Sequence, residues 1–268
     1  MGRASRSFRG RFPRIPVLMY HAVGDSPLSD AHEEKYRVSA TQLRDHLKRI
    51  TDAGYRCSLL GELWNSVVAR IEKGSSVVLT FDDGRMSDYE RAYPLLLEAG
   101  VRAEFFVNTG MIGLPGYLGW TQVAEMSRAG MSFQSHGHDH VALTRLGRAA
   151  LQRQLRESRR QIEDRLGSPV KFLAVPYGFI NGRVKELAHQ AGYRAICSSR
   201  PWPARAGSTI IGRVAVDAAT GPRELLRLVE LDPVCYAARA LRAGLVYFPR
   251  QLRLRLAPAR FSVFAAGA

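Results

Sequence analysis

The chain has 268 residues, 46% hydrophobic and 24% charged, an ordinary globular balance with enough length for one large α/β domain. Its formal net charge of +15 points to anionic surroundings: acidic lipid head groups, phosphate-bearing carriers or acidic polymers. Zinc-finger spacing, an RNA-binding sheet signature and a basic heptad region are all missing, so no nucleic-acid partner is expected.

The three cysteines, Cys57, Cys197 and Cys235, have no paired spacing, which argues against a disulfide scaffold and suits a reducing compartment. Residues 1–15 read as a disordered basic arm without the apolar core of a signal peptide. No apolar run reaches the ~18 residues of a spanning helix. These features predict a cytoplasmic protein, or one held peripherally at the inner membrane face.

In chain order, Pro16-Val17-Leu18-Met19-Tyr20-His21 reads as a short buried strand ending in a histidine, followed by a polar loop over 22–37. A helix begins near Ala40 with Leu43, Leu47 and Ile50 on its apolar face, and Gly54 ends it. A short strand over 57–60 and a helix over 62–73 follow, the latter with Leu63, Val67, Val68 and Ile71 inward. Residues 76–81 form a strand that does not alternate apolar with polar, so it is expected to be buried on both faces. It runs directly into Asp82-Asp83-Gly84.

The pattern then gives a helix over 87–99, a strand over 102–108, a glycine-rich loop over 109–119, a helix over 121–130 and a strand over 131–135. That strand leads into His136-Gly137-His138-Asp139-His140. The helix over 147–166 has the clearest apolar face, through Leu151, Leu155, Ser158, Ile162 and Leu166. Strand 171–175 enters Pro176-Tyr177-Gly178. A helix over 182–191, strands over 194–198 and 209–216, and a helix over 222–230 complete the pattern. About seven strand–helix repeats over 16–232 predict a single parallel (β/α) barrel, with an open doubly wound sheet as the alternative.

From Pro233 to the end, Tyr236, Leu241, Leu245 and Phe248 mix with Arg239, Arg242, Arg250, Arg253, Arg255 and Arg260. This basic amphipathic extension is either a helix packed on the barrel or an anchor for an anionic membrane surface.

In a parallel barrel, residues just past the strand ends share one rim. Here those residues are His21, Asp82, Asp83, His136, His138, His140 and Tyr177. Asp-Asp-Gly alone could be a surface turn. With histidines converging on it, a metal site is the economical reading. Imidazole nitrogen with carboxylate oxygen suits zinc, and also cobalt, nickel or manganese. The i, i+4 spacing of His136 and His140 would put both rings on one side of a helical turn.

These residues resemble the polysaccharide deacetylases with the NodB homology domain, carbohydrate esterase family 4, over about residues 16–216. Thr80-Phe81-Asp82-Asp83-Gly84 is similar to the family's first motif and His136 to His140 to its histidine motif. Pro176-Tyr177-Gly178 resembles the third motif. The resemblance implies a distorted seven-stranded barrel and a divalent metal, Zn2+ before Co2+, Ni2+ or Mn2+, held by Asp83, His136 and His140. It further implies Asp82 as general base for the attacking water and the backbone N–H of Tyr177 as oxyanion donor.

Three positions depart from the family pattern. Glu104 stands where the family has a threonine, and Ala174 where many members carry an arginine that contacts the base. No histidine follows His189, so the usual general-acid position is missing. His21 resembles the Tyr-His of members acting on exopolysaccharides and is a candidate acid or substrate contact, or else a capped strand-end residue. His138 reads as peripheral. Pro176 and Trp120 are candidate substrate contacts, with a core role open for Trp120.

The reading is a metal-dependent de-N-acetylase that acts on an amino sugar in a polysaccharide or lipid-linked precursor. The alternatives are a hydrolase of a non-sugar C–N bond and a catalytically silent carbohydrate-binding domain.

Overall fold

In the computed structural model, residues 14–24, 34–65 and 76–256 are described. The chain begins with β1 (Arg14–Ile15) and β2 (Val17–Tyr20), then α1 (Ala40–Asp52), β3 (Arg56–Cys57) and α2 (Leu60–Asn65). The central strand β4 (Ser76–Asp83) follows. A π-helical turn (Asp88–Ala92) leads into α3 (Tyr93–Glu98), then β5 (Glu104–Val107), α4 (Trp120–Arg128), β6 (Ser132–Ser135) and α5 (Arg148–Leu166). Next come β7 (Phe172–Ala174), α6 (Gly182–Gln190), β8 (Ala195–Cys197) and β9 (Ala204–Arg205). The short strands β10 (Ile210–Ile211) and β11 (Val214–Ala215) precede α7 (Pro222–Val229) and α8 (Pro233–Leu256).

The strands of the main sheet run parallel in the order β10-β8-β7-β6-β5-β4-β2-β11, and β3 pairs with the start of β4. β10 and β11 lie at opposite edges of this sheet, yet only Gly212 and Arg213 separate them in the chain. One length of chain therefore serves both edges and closes the sheet. The single strand predicted over 209–216 is thus two strands with different partners: β10 pairs with β8 and β11 with β2. Gly212 permits the break, because a Cβ there would stand 2.3 Å from the Trp202 carbonyl oxygen.

Every residue of β4 is buried, as its unbroken apolar run predicts. Alternation divides its side chains between two apolar layers. Val78 joins Val17, Phe106, Phe172, Ala174, Cys197 and Trp64 in the layer inside the barrel. Val77, Leu79 and Phe81 join the layer under the helices. In that outer layer Tyr20, Phe81, Phe105 and Phe133 are register partners on four adjacent strands. Their rings stack in a row at centroid spacings of 5.1, 5.0 and 5.4 Å.

Several expected boundaries move. The basic arm ends before Arg14, because Arg14 and Ile15 pair antiparallel with β9; residues 1–13 lie outside the described residues. The helix expected over 62–73 starts at Leu60, and Val67, Val68 and Ile71 also lie outside them, as do residues 25–33 of the polar loop.

α5 matches its expectation, with Leu151, Leu155, Ser158 and Ile162 buried and Gly167 in a left-handed cap. The C-terminal extension is a helix as far as Leu256. Cys235, Tyr236 and Arg239 are buried, while Val234 and Leu241 are 68% and 70% exposed. The expectations for Leu245, Phe248, Arg250, Arg253, Arg255 and Arg260 lie outside the described side chains. No helix among the described residues is long and apolar enough to cross a membrane.

Candidate active site

β4 delivers both carboxylates of the Asp-Asp pair and separates them by backbone geometry. Asp82 follows the strand's alternation and faces the barrel interior. Asp83 has φ 80°, which breaks the alternation and turns its carboxylate towards the histidines. Gly84, at φ 70°, completes the turn; a Cβ there would stand 2.9 Å from Val107 Cγ1. Glycine at position 84 is therefore required by local sterics.

Asp83 Oδ1 lies 3.3 Å from His136 Nε2 and 3.2 Å from His140 Nε2. One ligand atom from each of the three residues lies within 4.8 Å of the others. Asp83 Oδ1 is buried and has no hydrogen-bond partner.

The spacing of His136 and His140 predicts a helical turn. Instead they sit in a loop after β6, bent by left-handed backbone at Gly137 (φ 82°) and His140 (φ 49°). His136 Nδ1 lies 2.9 Å from the Ala174 carbonyl oxygen, which as acceptor fixes a proton on Nδ1 and turns Nε2 towards Asp83. Asn108 Nδ2 donates to the carbonyl of His136 at 2.6 Å and holds the loop to β5. A buried, unpartnered carboxylate oxygen facing two imidazole nitrogens is the donor set of a divalent cation, so the residues present fit a metal.

Asp82 has a different partner. Arg213 Nη1 and Nη2 donate to its Oδ1 and Oδ2 at 2.6 and 2.7 Å, a bidentate pair in which both side chains are buried. Arg213 also donates to Thr80 Oγ1 at 3.2 Å and to the Ser198 carbonyl at 3.3 Å. Its guanidinium sits over the Phe106 ring, 5.2 Å from the centroid. Arg213 lies at the break between β10 and β11. With Ala174 at the position where the family resemblance would put an arginine, Arg213 supplies the partner of Asp82 instead. The one available signal was an arginine inside an otherwise apolar run, Ile210-Ile211-Gly212-Arg213-Val214.

The electrostatics separate the two acids from a third. Burial pushes the Asp82 carboxyl up, but the Arg213 guanidinium, helped by His136 and His21, overrides this and holds it below its ordinary value. Burial likewise acts against Asp83, and His140 and His136 hold it well below. Asp88, in the first turn after β4, is buried with neither carboxyl oxygen hydrogen-bonded; burial and then the charge of Asp83 push it well above the carboxylate range.

His21 lies past the end of β2 with its ring stacked on Tyr36 at 5.0 Å and its Nδ1 buried without a partner. Burial lowers its pKa, against the pull of Asp83 and Asp82.

Tyr177 has φ 63° inside the short turn Pro176–Gly178, and its ring lies 5.1 Å from that of His140. Pro176 is buried within that turn. His138 is turned aside: its Nδ1 meets Thr109 Oγ1 at 2.8 Å and its Nε2 lies 3.5 Å from Asp139. Trp120 stands in the first turn of α4, packed on the core with the Arg165 guanidinium 5.4 Å from its ring centroid.

Comparisons with known proteins agree with this geometry. The family model described as polysaccharide deacetylase matches residues 69–196. YxkH of Bacillus subtilis (strain 168), named by inference as a polysaccharide deacetylase, is 28% identical over 190 residues, covering 70% of this chain and 65% of that protein. The poly-β-1,6-N-acetyl-D-glucosamine N-deacetylase of Staphylococcus aureus (strain N315) is 25% identical over 176 residues, 60% of each protein. The chain thus spans less than two thirds of the length of these curated relatives.

Among solved structures, the Streptococcus pyogenes deacetylase PplD in complex with acetate superposes with TM-score 0.74 and 25% identity, covering 81% of this chain and 99% of that one. IcaB from Ammonifex degensii gives TM-score 0.72 at 24% identity, covering 81% and 97%, and shares the fold. Motifs, site geometry and these matches agree: over residues 69–196 the chain matches the polysaccharide deacetylase family.

Proposed function

We propose that the protein is a metal-dependent de-N-acetylase that hydrolyses the acetamide of an N-acetylated amino sugar to acetate and a free amine. The observation that carries this reading is the pairing of two unlike acids, Asp83 gathered with His136 and His140 and Asp82 clamped by Arg213. Asp83, His136 and His140 would hold a divalent cation, with zinc the first candidate and cobalt, nickel and manganese behind it. Such a cation acidifies water and polarises the amide carbonyl.

The chain's own residues do the rest. Asp82, kept ionised by Arg213, accepts the proton of the attacking water. The Tyr177 N–H, presented by the strained turn, donates to the developing oxyanion. His21 is the candidate donor of a proton to the leaving amine, a role supported by its unpartnered buried Nδ1 beside the two acids.

The named substrate of the S. aureus relative makes an exopolysaccharide of N-acetylglucosamine one candidate and a lipid-linked amino sugar another. Acetate release from N-acetylglucosamine oligomers and from a lipid-linked amino sugar, with and without chelator, tests the reading. Asp82→Asn should retain metal and lose turnover by about 10²–10⁴-fold. No acetate from either substrate with metal bound would favour a silent carbohydrate-binding domain.

The exposed Val234 and Leu241 of α8, with Arg242 also exposed, support peripheral attachment to an anionic membrane face. Anionic vesicles should sediment the full chain but not a chain ending at Asp232. Equal sedimentation of the two would remove this part of the proposal.

A further inference from the structure

A second surface, on the segment between β8 and β11, has chemistry that the deacetylation site does not use. It is a cavity of about 260 Å³ with Ser198, Arg200, Trp202, Arg205, Ser208 and Gly212 among its lining residues. That volume is just under the ~300 Å³ at which small-ligand pockets begin, which suits a single sugar unit. Trp202 is 57% exposed, whereas Trp64 is buried in the barrel and Trp120 is covered by Arg165. A flat apolar ring open to solvent at the rim of a cavity is a platform for the apolar face of a pyranose.

Among the described residues, the charges around it lack counter-charges. Arg14 of β1 and Arg205 of β9 are direct register partners and both are exposed. Like charges directly opposite in an antiparallel pair destabilise it unless an anion lies between them. Among the described residues, neither of these arginines nor Arg200 has a carboxylate within ion-pair distance, although most other arginines of this basic chain do. Guanidinium groups suit bidentate pairing with carboxylate or phosphate.

The same loop reaches the catalytic base. The carbonyl of Arg200 accepts the Arg213 N–H at 2.9 Å, and the carbonyl of Ser198 accepts its Nε–H. A saccharide in the cavity would therefore lie along the wall that positions Asp82.

We propose that this cavity is a binding subsite for an acidic saccharide unit, with the sugar ring on Trp202 and its carboxylate or phosphate on Arg200 and Arg205. The inference rests on the deacetylase reading for its biological sense, and it names the class of substrate: an N-acetylated glycan that carries negative charge.

Tryptophan fluorescence tests binding without reference to turnover, since Trp202 is the most exposed of the three tryptophans. A hyaluronan tetrasaccharide supplies carboxylates, N-acetylglucosamine 6-phosphate supplies phosphate, and a neutral N-acetylglucosamine tetramer is the control. Saturable quenching by an acidic probe, weakened by salt, is expected, and the tighter acidic probe identifies the anion. Trp202→Phe should abolish the quenching, and Arg200→Ala with Arg205→Ala should weaken acidic binding, read calorimetrically, by at least about tenfold.

Equal affinity for the neutral tetramer, equal affinity for inorganic phosphate alone, or undiminished acidic binding in the double arginine variant would each overturn the proposal. Acetate release by the unaltered protein, measured on both the hyaluronan tetrasaccharide and the neutral tetramer, separates the two readings. Its absence from both would count against the deacetylase, whereas its presence without acidic binding would count against the subsite alone.

Discussion

The two adjacent aspartates show how neighbouring residues of one type acquire different chemistry. Their separation depends on a single backbone angle, the positive φ of Asp83, and on two sets of partners that are remote in sequence. Asp82 keeps its charge because a guanidinium outweighs the cost of burial, and Asp83 because imidazoles do. Burial lowers the pKa of His21, against the pull of Asp83 and Asp82. A proton donor neutral at physiological pH must gain its proton during the reaction, which makes it sensitive to substitution. His21→Ala should lower kcat by about 10²-fold or more while leaving metal content intact. Metal analysis alongside turnover checks this, and full activity would return His21 to the role of a strand-end residue.

At the scale of the element, β5 carries an acid where the family pattern has a threonine. Glu104 begins the strand, is fully buried, and accepts the Leu60 N–H at 2.7 Å, so it ties the start of α2 to the barrel. Its Oε2 has no partner. Burial pushes the Glu104 carboxyl from 4.5 up to about 7. The folded chain therefore holds a proton there that the unfolded chain has lost between those pH values. Stability from this group is present below about 4.5, falls as pH rises through the window, and is flat above about 7. Glu104→Gln keeps the acceptor and removes the titration. Its stability relative to the parent should rise by on the order of 3 kcal/mol between pH 4.5 and 8, read by denaturant unfolding at each pH. Parallel pH profiles for the two proteins would exclude the effect.

At the scale of the whole molecule, closure of the barrel makes the site. The break at Gly212-Arg213 lets β10 and β11 pair with opposite edges, and the residue at the break points its guanidinium across the interior to Asp82. Fold and candidate site therefore share one feature. Arg213→Lys keeps the charge but cannot form the bidentate pair. The variant should lose about tenfold or more in kcat with a smaller change in KM. Because Arg213 holds the Asp82 carboxyl down, the acid limb of the kcat/KM profile should move to higher pH. A purely structural arginine would leave that limb in place.

The alternation of strands and helices, the buried run of β4 and the set of acids and imidazoles at the strand ends were legible in the residues, because periodicity and strand-end placement are local properties; the choice of Asp83, His136 and His140 from that set came from the family resemblance. The row of Tyr20, Phe81, Phe105 and Phe133 follows from register, which local pattern does not state. The loop conformation of His136 to His140 also escaped the pattern, since an i, i+4 spacing is equally available to a turn bent at glycine.

The partner of Asp82 was the largest gap. By sequence alone, Ala174 marked an arginine as missing. In the structure that function comes from Arg213, 131 residues beyond Asp82. Sequence determined which strand ends carry acids and imidazoles, because those follow from short-range pattern and covalent order. Only the tertiary structure decided which charge faces which, because a buried ion pair forms wherever barrel closure brings two side chains together, whatever their separation along the chain.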